Sequence, residues 1–280
     1  MYQNIHASDR VLLNETEQTI YQAAQFLAMF GKGYAEKQPD DSHTNLEFLS
    51  EKSTIVSRVE KEKGISLFLD VPRWRLGLEK EKVEVASLPI TNHTQEEIIR
   101  WVRHELNQQG LDGDKFQEIS HYTIPEHPTQ HGSPFSSIDL QAAQQWSVIR
   151  ANANLIMSEL TQLIGMNSDF CIWPHHFDTG AYYPLGEQKG IGTGWAMTDV
   201  LCDQPYLYLY GVNGMGDIGY VNAPPLTIGR WVLTNEWQGA IVSLKEIASV
   251  EDQWGELLKN MKLIVTFFLH ELIPNRSSAL

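Results

Sequence analysis

Residues Phe170 to Asp178 read Phe-Cys-Ile-Trp-Pro-His-His-Phe-Asp, the densest collection of chemically able side chains in the chain. Neutral imidazole and carboxylate suit a divalent transition metal such as zinc, iron, manganese or nickel, and a loop can aim such groups at one ion. With His43 from the polar loop Gln38-Pro39-Asp40-Asp41-Ser42-His43-Thr44-Asn45, the metal ligands would be His43, His176 and Asp178, with His175 beside them and an open position for water. Water on such an ion becomes a nucleophile near neutral pH, which would make the chain a metal-dependent hydrolase with Asp178 as ligand or general base. The spacing is not the helical His-Glu-x-x-His signature. Neighbouring side chains on a strand point to opposite faces, so His175 and His176 share a site only if Pro174 holds a turn. The competing reading is structural, with the histidines hydrogen-bonded beneath Trp173 and Phe177. Cys171 precedes His175 by four residues and could pair with it as a reactive thiolate. Between Phe170 and Ile172 it reads instead as a small buried hydrophobe on a strand.

A second chemistry is ligand binding without catalysis. Tyr206, Tyr208 and Tyr210 share one strand face, and with Trp173, Trp195 and Trp231 they could line a pocket. The expected small-molecule site is a cleft at the Trp173 to Asp178 loop, with Trp173, His175, His176, Asp178, Trp195 and Tyr208 as ligand-binding residues. An aromatic stripe at period two is also what a buried strand looks like. Gly214-Met215-Gly216-Asp217-Ile218-Gly219 matches the dinucleotide glycine pattern, but Asn222-Ala223-Pro224-Pro225 follows where a helix should begin. It reads as a loop between strands, a lid in function. Gly190, Gly192 and Gly194 mark a bend or a close backbone approach. A third reading is a non-catalytic interaction or scaffold protein whose histidine loop only holds the chain together.

The elements that would position these groups follow from periodicity. Residues 1 to 13 read as a loose lead-in. Thr16 is expected to cap a first helix with Ile20, Ala23, Ala24, Leu27 and Phe30 on its buried face, stopped by Gly31 and Gly33. Strands are expected at Thr54–Val59, Ile65–Leu69, Trp74–Leu78 and Val83–Leu88, each facing a core on one side. Thr94-Gln95-Glu96-Glu97 is a capping box opening a helix that carries Ile98, Trp101, Val102 and Leu106 and ends at Gly110. A punctuated connector leads to a long helix from Ser137 to Gly165 with the stripe Leu140, Ala143, Trp146, Ile149, Ala153, Ile156, Leu160 and Leu163. Further strands are expected at 180–183, 191–197, 206–210, 228–233 and 239–244. Ser249 is expected to cap a last helix with Trp254, Leu257, Leu258, Met261, Val265 and Phe268, closed by Pro274.

The two halves repeat one order: helix, polar histidine loop, strands, capped helix. Gly31 matches Gly165, His43-Thr44-Asn45 matches His176-Phe177-Asp178, and Ser87-Leu88 matches Ser243-Leu244. The reading is a single α+β domain over 1–280, a pseudo-symmetric duplication of an α-β-β-β-α unit with antiparallel sheets covered by helices. Its first half is 14–110, its connector 111–136 and its second half 137–274. A pseudo-two-fold would bring the two histidine loops to one cleft.

Composition narrows the classes. A net charge of −14 repels nucleic acid and anionic membranes, so neither is an expected partner. No apolar run approaches membrane-spanning length, the N-terminus has no signal-peptide pattern, and two cysteines make no disulfide framework. The expected compartment is the cytoplasm. Oligomeric state is not legible.

The long helix ending in Ile164-Gly165, followed by Phe170 to Trp173 and Phe177-Asp178, resembles an uncharacterised bacterial family, the domain of unknown function 5996 family. The Tyr206-Leu207-Tyr208-Leu209-Tyr210 strand and Trp237-Gln238-Gly239-Ala240-Ile241-Val242 resemble it too, most clearly from about residue 140 to the end. That resemblance implies no known activity.

Overall fold

The computed structural model describes residues 1–6, 10–118, 122–186, 188–214 and 216–273. The fold is α+β, with five α-helices and two antiparallel sheets among these described residues. The first sheet is a meander in the order β1 (Glu47–Leu49), β2 (Thr54–Val56), β3 (Ile65–Asp70), β4 (Arg75–Lys80), β5 (Val83–Pro89). The second has six strands, β6 (Cys171–Trp173), β7 (Asp178–Gly186), β8 (Lys189–Ala196), β9 (Tyr206–Asn213), β10 (Arg230–Leu233) and β11 (Gln238–Ser243). Their spatial order is β10-β11-β9-β8-β7-β6, so β10 is the outermost strand rather than the next step of a meander. The helices are α1 (Arg10–Tyr34), α2 (Gln95–Gln108), α3 (Leu140–Ile164), α4 (Leu244–Ala248) and α5 (Gln253–Leu272).

The chain forms two compact units. One comprises Ser8–Ala151 with Cys171–Phe177; the other comprises Met1–Ala7, Asn152–Phe170 and Asp178–Leu280. The division runs through α3 and through the histidine loop, not through the connector between the two expected halves. Nor do the sheets match strand for strand, since one is a plain five-stranded meander and the other is not.

In the first unit β3 is buried along its whole length, on both faces. That is why Ile65-Ser66-Leu67-Phe68-Leu69 is apolar without strict alternation. Phe68 lies over Gly77, its cross-strand partner, where a β-carbon would sit 2.1 Å from the ring. β5 is mostly exposed, contrary to the expectation of a core-facing strand, because it is the outer edge of the meander. The Thr94 box forms as read, with Thr94 Oγ1 accepting from the Glu97 N–H and Glu97 accepting from the Thr94 N–H at 2.8 Å. Gly110 follows α2 at φ 73°, the left-handed conformation that ends helices.

α1 departs from its expected limits at both ends. It starts at Arg10, so Thr16 is a buried residue inside it and not a cap. Gly31 does not stop it either: the backbone of the following loop approaches so closely that a β-carbon there would lie 2.4 Å from the His43 carbonyl oxygen. Gly31 thus serves a contact.

In the second unit, α5 covers the β8–β9 face, where Phe268 comes within 2.7 Å of where a β-carbon on Gly211 would be. Residues 1–6 are no loose lead-in. The Gln253 side chain both accepts from the Ile5 N–H and donates to the Ile5 carbonyl, each at 2.8 Å, and Asn152 does the same for Gln3 at 3.0 and 2.7 Å. Ser249 does not cap the last helix. Ser243 and Glu246 form a capping box for α4, Ser249 ends that helix, and Asp252 caps α5 by accepting from the Gly255 N–H at 2.9 Å. A five-residue helix, α4, precedes the expected long one, because Ser243 and Asp252 each offer a cap. Pro274 lies outside the described residues. Gly165 closes α3 at φ 70°, as expected.

Candidate functional site

α1 is buried on nearly every side, so its polar residues must find partners inside the protein. Glu17 and Arg150 are 2% and 0% exposed and form an ion pair at 3.1 Å. The same Glu17 oxygen accepts from Trp146 Nε1 at 3.0 Å. Burial raises the Glu17 carboxyl above the usual glutamate range, against the pull of the Arg150 guanidinium. Arg150 then reaches the histidine loop, donating to the Phe177 carbonyl at 2.6 Å with its guanidinium over the Trp146 and Phe177 rings at 5.2 and 4.7 Å.

The loop after β6 is held by its carbonyls. Tyr21 donates to the His175 carbonyl at 2.8 Å, Gln25 Nε2 to the Pro174 carbonyl at 3.0 Å, and the Phe177 N–H to the Trp173 carbonyl at 2.7 Å. Phe177 takes φ 55°, and its ring stacks on Tyr21 at 4.8 Å. Residues 174–177 are a turn, not a strand, so the His175 and His176 rings lie beside each other at 4.4 Å instead of on opposite faces. Trp173 meets His175 edge-on at 6.0 Å, and His176 is exposed.

His43 is buried, and its Nδ1 accepts from the Gln38 N–H at 3.2 Å. It braces its own loop. Among the described residues no three His, Cys, Asp or Glu side chains are grouped to hold a metal ion, so the set His43, His176 and Asp178 is not assembled as a metal centre. The reason is local: the turn directs its carbonyls to α1, and His43 uses a ring nitrogen on its own backbone. Cys171 is buried, with Asn45 Nδ2 3.0 Å from its sulfur, which fits the small-hydrophobe reading.

The structure does hold a cavity next to this loop. It has a volume of about 340 Å³ and is formed by α1, the start of α2, Glu118, residues 122–124 and Gln130. Phe26, Met29, Ile99 and Ile124 give it apolar walls; Gln22, Gln25, Gln95, Gln130, Tyr122 and Thr123 give it hydrogen-bonding groups, and the exposed Glu118 adds one carboxylate. Among the described residues no lysine, arginine or histidine lines it. The amides are fixed in place. Gln22 Nε2 donates to the Pro125 carbonyl at 3.0 Å, Tyr122 donates to Gln25 Oε1 at 2.8 Å, Gln95 Nε2 donates to Thr129 Oγ1 at 3.3 Å, and Gln130 Oε1 accepts from the His127 N–H at 3.0 Å. Gln22 is 1% exposed, and its Oε1 has no hydrogen-bond partner. The Pro125 carbonyl can only accept, which orients the amide and leaves an acceptor unsatisfied. Gln25 and Tyr122 join the cavity to the loop, the first through Pro174 and the second through its ring, 6.0 Å from that of His175.

The remaining expected site residues, Asp178, Trp195 and Tyr208, belong to the other unit. Tyr208 donates a short hydrogen bond to Asp178 Oδ2, while Asp178 Oδ1 is buried without a partner. Burial and then the Asp178 charge push the Tyr208 hydroxyl well above the ordinary tyrosine range. The glycines of β8 make room for this: a β-carbon on Gly194 would lie 2.5 Å from the Tyr208 hydroxyl, and one on Gly192 would lie 2.1 Å from the Tyr210 ring. Close approach is therefore the meaning of the Gly190-x-Gly192-x-Gly194 run. Trp195 is fully buried on the opposite face, paired in register with Leu207 while Gly194 pairs with Tyr208, so Trp195 and Tyr208 do not share a pocket. The Gly214 to Gly219 segment leads only into a single 3-10 turn at Tyr220–Asn222, with the Gly219 N–H bonded to Glu271 at 2.8 Å, and Met215 lies outside the described residues.

The glutamines, Glu17 and Arg150 carry no motif. Glu17 falls in register with Ile20, Ala24 and Leu27, and Arg150 with Trp146 and Ala153, so each is a lone charge on an apolar helical stripe. That signal was present and points to burial with a partner. Comparison with known proteins adds no name: no family model, curated protein or solved structure matches the chain.

Proposed function

We propose that the chain binds a small, neutral, polar molecule in the cavity beside the Trp173 to Asp178 loop. The observation that carries this reading is a cavity of roughly 340 Å³ lined by Gln22, Gln25, Gln95 and Gln130, whose amides are held in fixed orientation by hydrogen bonds. Fixed amides offer both donors and acceptors, and apolar walls accept the flat or carbon-bearing face of the ligand. Among the described residues the only charged side chain in the lining is Glu118, a carboxylate that disfavours an anion as the occupant. Sugars, polyols, nucleosides and simple amides are the matching chemistry. The loop itself acts as a brace, because its carbonyls at 174, 175 and 177 are taken by α1 and α3 side chains.

The test is a thermal-shift and ligand-detected NMR screen with monosaccharides, polyols, nucleosides and amides beside carboxylates and phosphates of similar size. At least one neutral compound should bind, and Gln22→Met should abolish that binding while leaving the fold intact. Binding confined to anions, or neutral binding unchanged in Gln22→Met, would refute the reading.

A further inference from the structure

Aromatic rings pave one face of the second sheet. On β8, a β-carbon at Gly190 would strike the Tyr182 ring, one at Gly192 the Tyr210 ring and one at Gly194 the Tyr208 hydroxyl; on β11, one at Gly239 would lie 2.7 Å from the Trp237 ring. Glycine at each position lets a ring lie across the strand, the close approach that a strand glycine permits. Gly192 pairs in register with both Tyr182 and Tyr210, and Gly194 with Tyr208, so the three tyrosines share a face. α5 packs on the opposite face, where Phe268 meets Gly211. Tyr208 and Tyr210 stack at 6.1 Å and 28°, and Trp237 meets Tyr210 at 6.4 Å and 60°, so the rings form an angled floor. Tyr182 is 41% exposed, and Tyr208, Tyr210 and Trp237 are partly exposed.

A carboxylate lies on the same face. A β-carbon at Gly180 would sit 3.0 Å from the Tyr208 hydroxyl and 3.1 Å from Asp178 Oδ2. Asp178 is 8% exposed; its Oδ2 accepts from Tyr208, and its Oδ1 has no hydrogen-bond partner. Burial first, and then this carboxylate, raises the Tyr208 hydroxyl; Asp178 also adds to the rise of Tyr206 and Tyr210, and no described lysine, arginine or histidine lowers any of the three. Arg230, on β10, donates to the Leu201 carbonyl at 3.2 Å, and Lys189 donates to the Leu272 carbonyl at the end of α5. The negative faces of aromatic rings attract cations, and salt screens a buried carboxylate less than an exposed one. Asp178 Oδ1 is buried, so a cation on the rings feels its charge without bonding to it. The matching cation is one that needs no hydrogen bond, a methylated ammonium. We infer that this face binds a quaternary ammonium group of the choline type, seated over Tyr210 between Tyr182 and Trp237, with Asp178 as its charge complement. The cavity beside the histidine loop is formed by residues of the other unit, so the two readings fail separately.

The experiment is an NMR titration of the isotope-labelled full chain with choline chloride at constant ionic strength. The uncharged analogue of choline, with carbon in place of nitrogen, and methyl glucoside serve as comparisons, as do the variants Tyr182→Leu, Asp178→Asn and Gln22→Met. Tyr182 is exposed, so its variant keeps the fold, which circular dichroism checks, and it decides the matter if Asp178→Asn does not fold. The expected result is one saturable choline site, with the uncharged analogue bound more weakly. Tyr182→Leu should weaken choline by about two- to fivefold, the worth of one exposed cation–π contact. Asp178→Asn should weaken choline and leave the uncharged analogue unaffected. No saturable binding of choline, equal binding of the uncharged analogue, or undiminished binding by Tyr182→Leu would each overturn the inference. Tighter binding of methyl glucoside would make the face a sugar platform instead, and loss of choline binding in Gln22→Met would place choline in the cavity.

Discussion

Replacing Arg150 with methionine should strand a charge. Arg150 is 0% exposed and, among the described residues, is the only cation bonded to Glu17, which is itself 2% exposed. Without it the carboxylate keeps one described donor, Trp146 Nε1. Breaking a buried pair by removing one partner costs about 3–5 kcal/mol. The Phe177 carbonyl also loses its 2.6 Å donor, a further loss of about 1–3 kcal/mol. Against a typical total of about 5–15 kcal/mol, Arg150→Met should be barely folded at neutral pH. The companion variant Glu17→Met/Arg150→Met removes both charges and fills the space with apolar atoms. It should recover most of the loss, because apolar replacement of a whole buried pair is often neutral or stabilising by about 1–4 kcal/mol, offset here by the orphaned carbonyl.

The pH dependence separates this mechanism from simple loss of packing. Burial holds the folded-state Glu17 carboxyl above its unfolded value, and Arg150 opposes that rise. A folded state that binds the proton more tightly is favoured at low pH, and that contribution is lost as pH rises through the folded value. Removing Arg150 removes the opposing influence and raises the carboxyl further. The penalty of Arg150→Met should therefore shrink as pH falls from neutrality toward the ordinary glutamate range, where Glu17 takes up a proton and the buried charge disappears. Urea unfolding of the wild type, both single variants and the double variant at several pH values measures this directly. A loss under about 1 kcal/mol for Arg150→Met, or a loss that does not change with pH, would refute the reasoning.

Gly31→Ala sets two effects against each other. Alanine is favoured over glycine inside a helix by about 1 kcal/mol. Its β-carbon would lie 2.4 Å from the His43 carbonyl, however, and overpacking of this kind costs about 1–3 kcal/mol, so thermal unfolding should show a lower Tm. An unchanged or raised Tm would show that the His43 loop yields freely. Gly194→Ala should push the Tyr208 hydroxyl away from Asp178. Tyr208 stays protonated to high pH in the folded chain, so its stabilising contribution is lost as alkali rises past the ordinary tyrosine value of about 10. An ultraviolet titration of Gly194→Ala should show an additional tyrosine ionising nearer that value; a titration identical to wild type would refute the assignment.

The parts of the fold legible in the chain are those set by local patterns. Thr94 with Glu97, Gly110 and Gly165 mark helix ends through hydrogen bonds or backbone angles that depend on few neighbours. The strands of the second sheet stand close to where alternation places them. Failures come where tertiary contact overrides a local signal. Thr16 is a good cap residue absorbed into a longer buried helix, and Gly31, a good stop, is needed for a loop that passes against it. The order of β10 and β11 in the sheet depends on long-range pairing, which no local pattern encodes.

The histidine loop shows the same limit at the level of chemistry. Side-chain types in Phe170 to Asp178 point to metal ligation, but what organises the loop is its backbone. Three carbonyls, at 174, 175 and 177, receive donors from Gln25, Tyr21 and Arg150, residues remote in sequence. Once a turn is held that way, the directions of its imidazoles are consequences of the brace, and two adjacent histidines end up against each other. The same brace orders α1, whose next polar residues face a cavity. Gln25 gives one amide end to the loop and the other to Tyr122, and Gln22 completes the wall with an acceptor that the protein leaves unpaired. A tightly braced turn needs buried polar donors around it, and here those donors come from α1 and α3. A cavity lined by spare polar groups is most readily built where such donors already cluster. Among the described residues the polar groups of that cavity are amides, hydroxyls and the Glu118 carboxylate, and the neutral ligand proposed above rests on them.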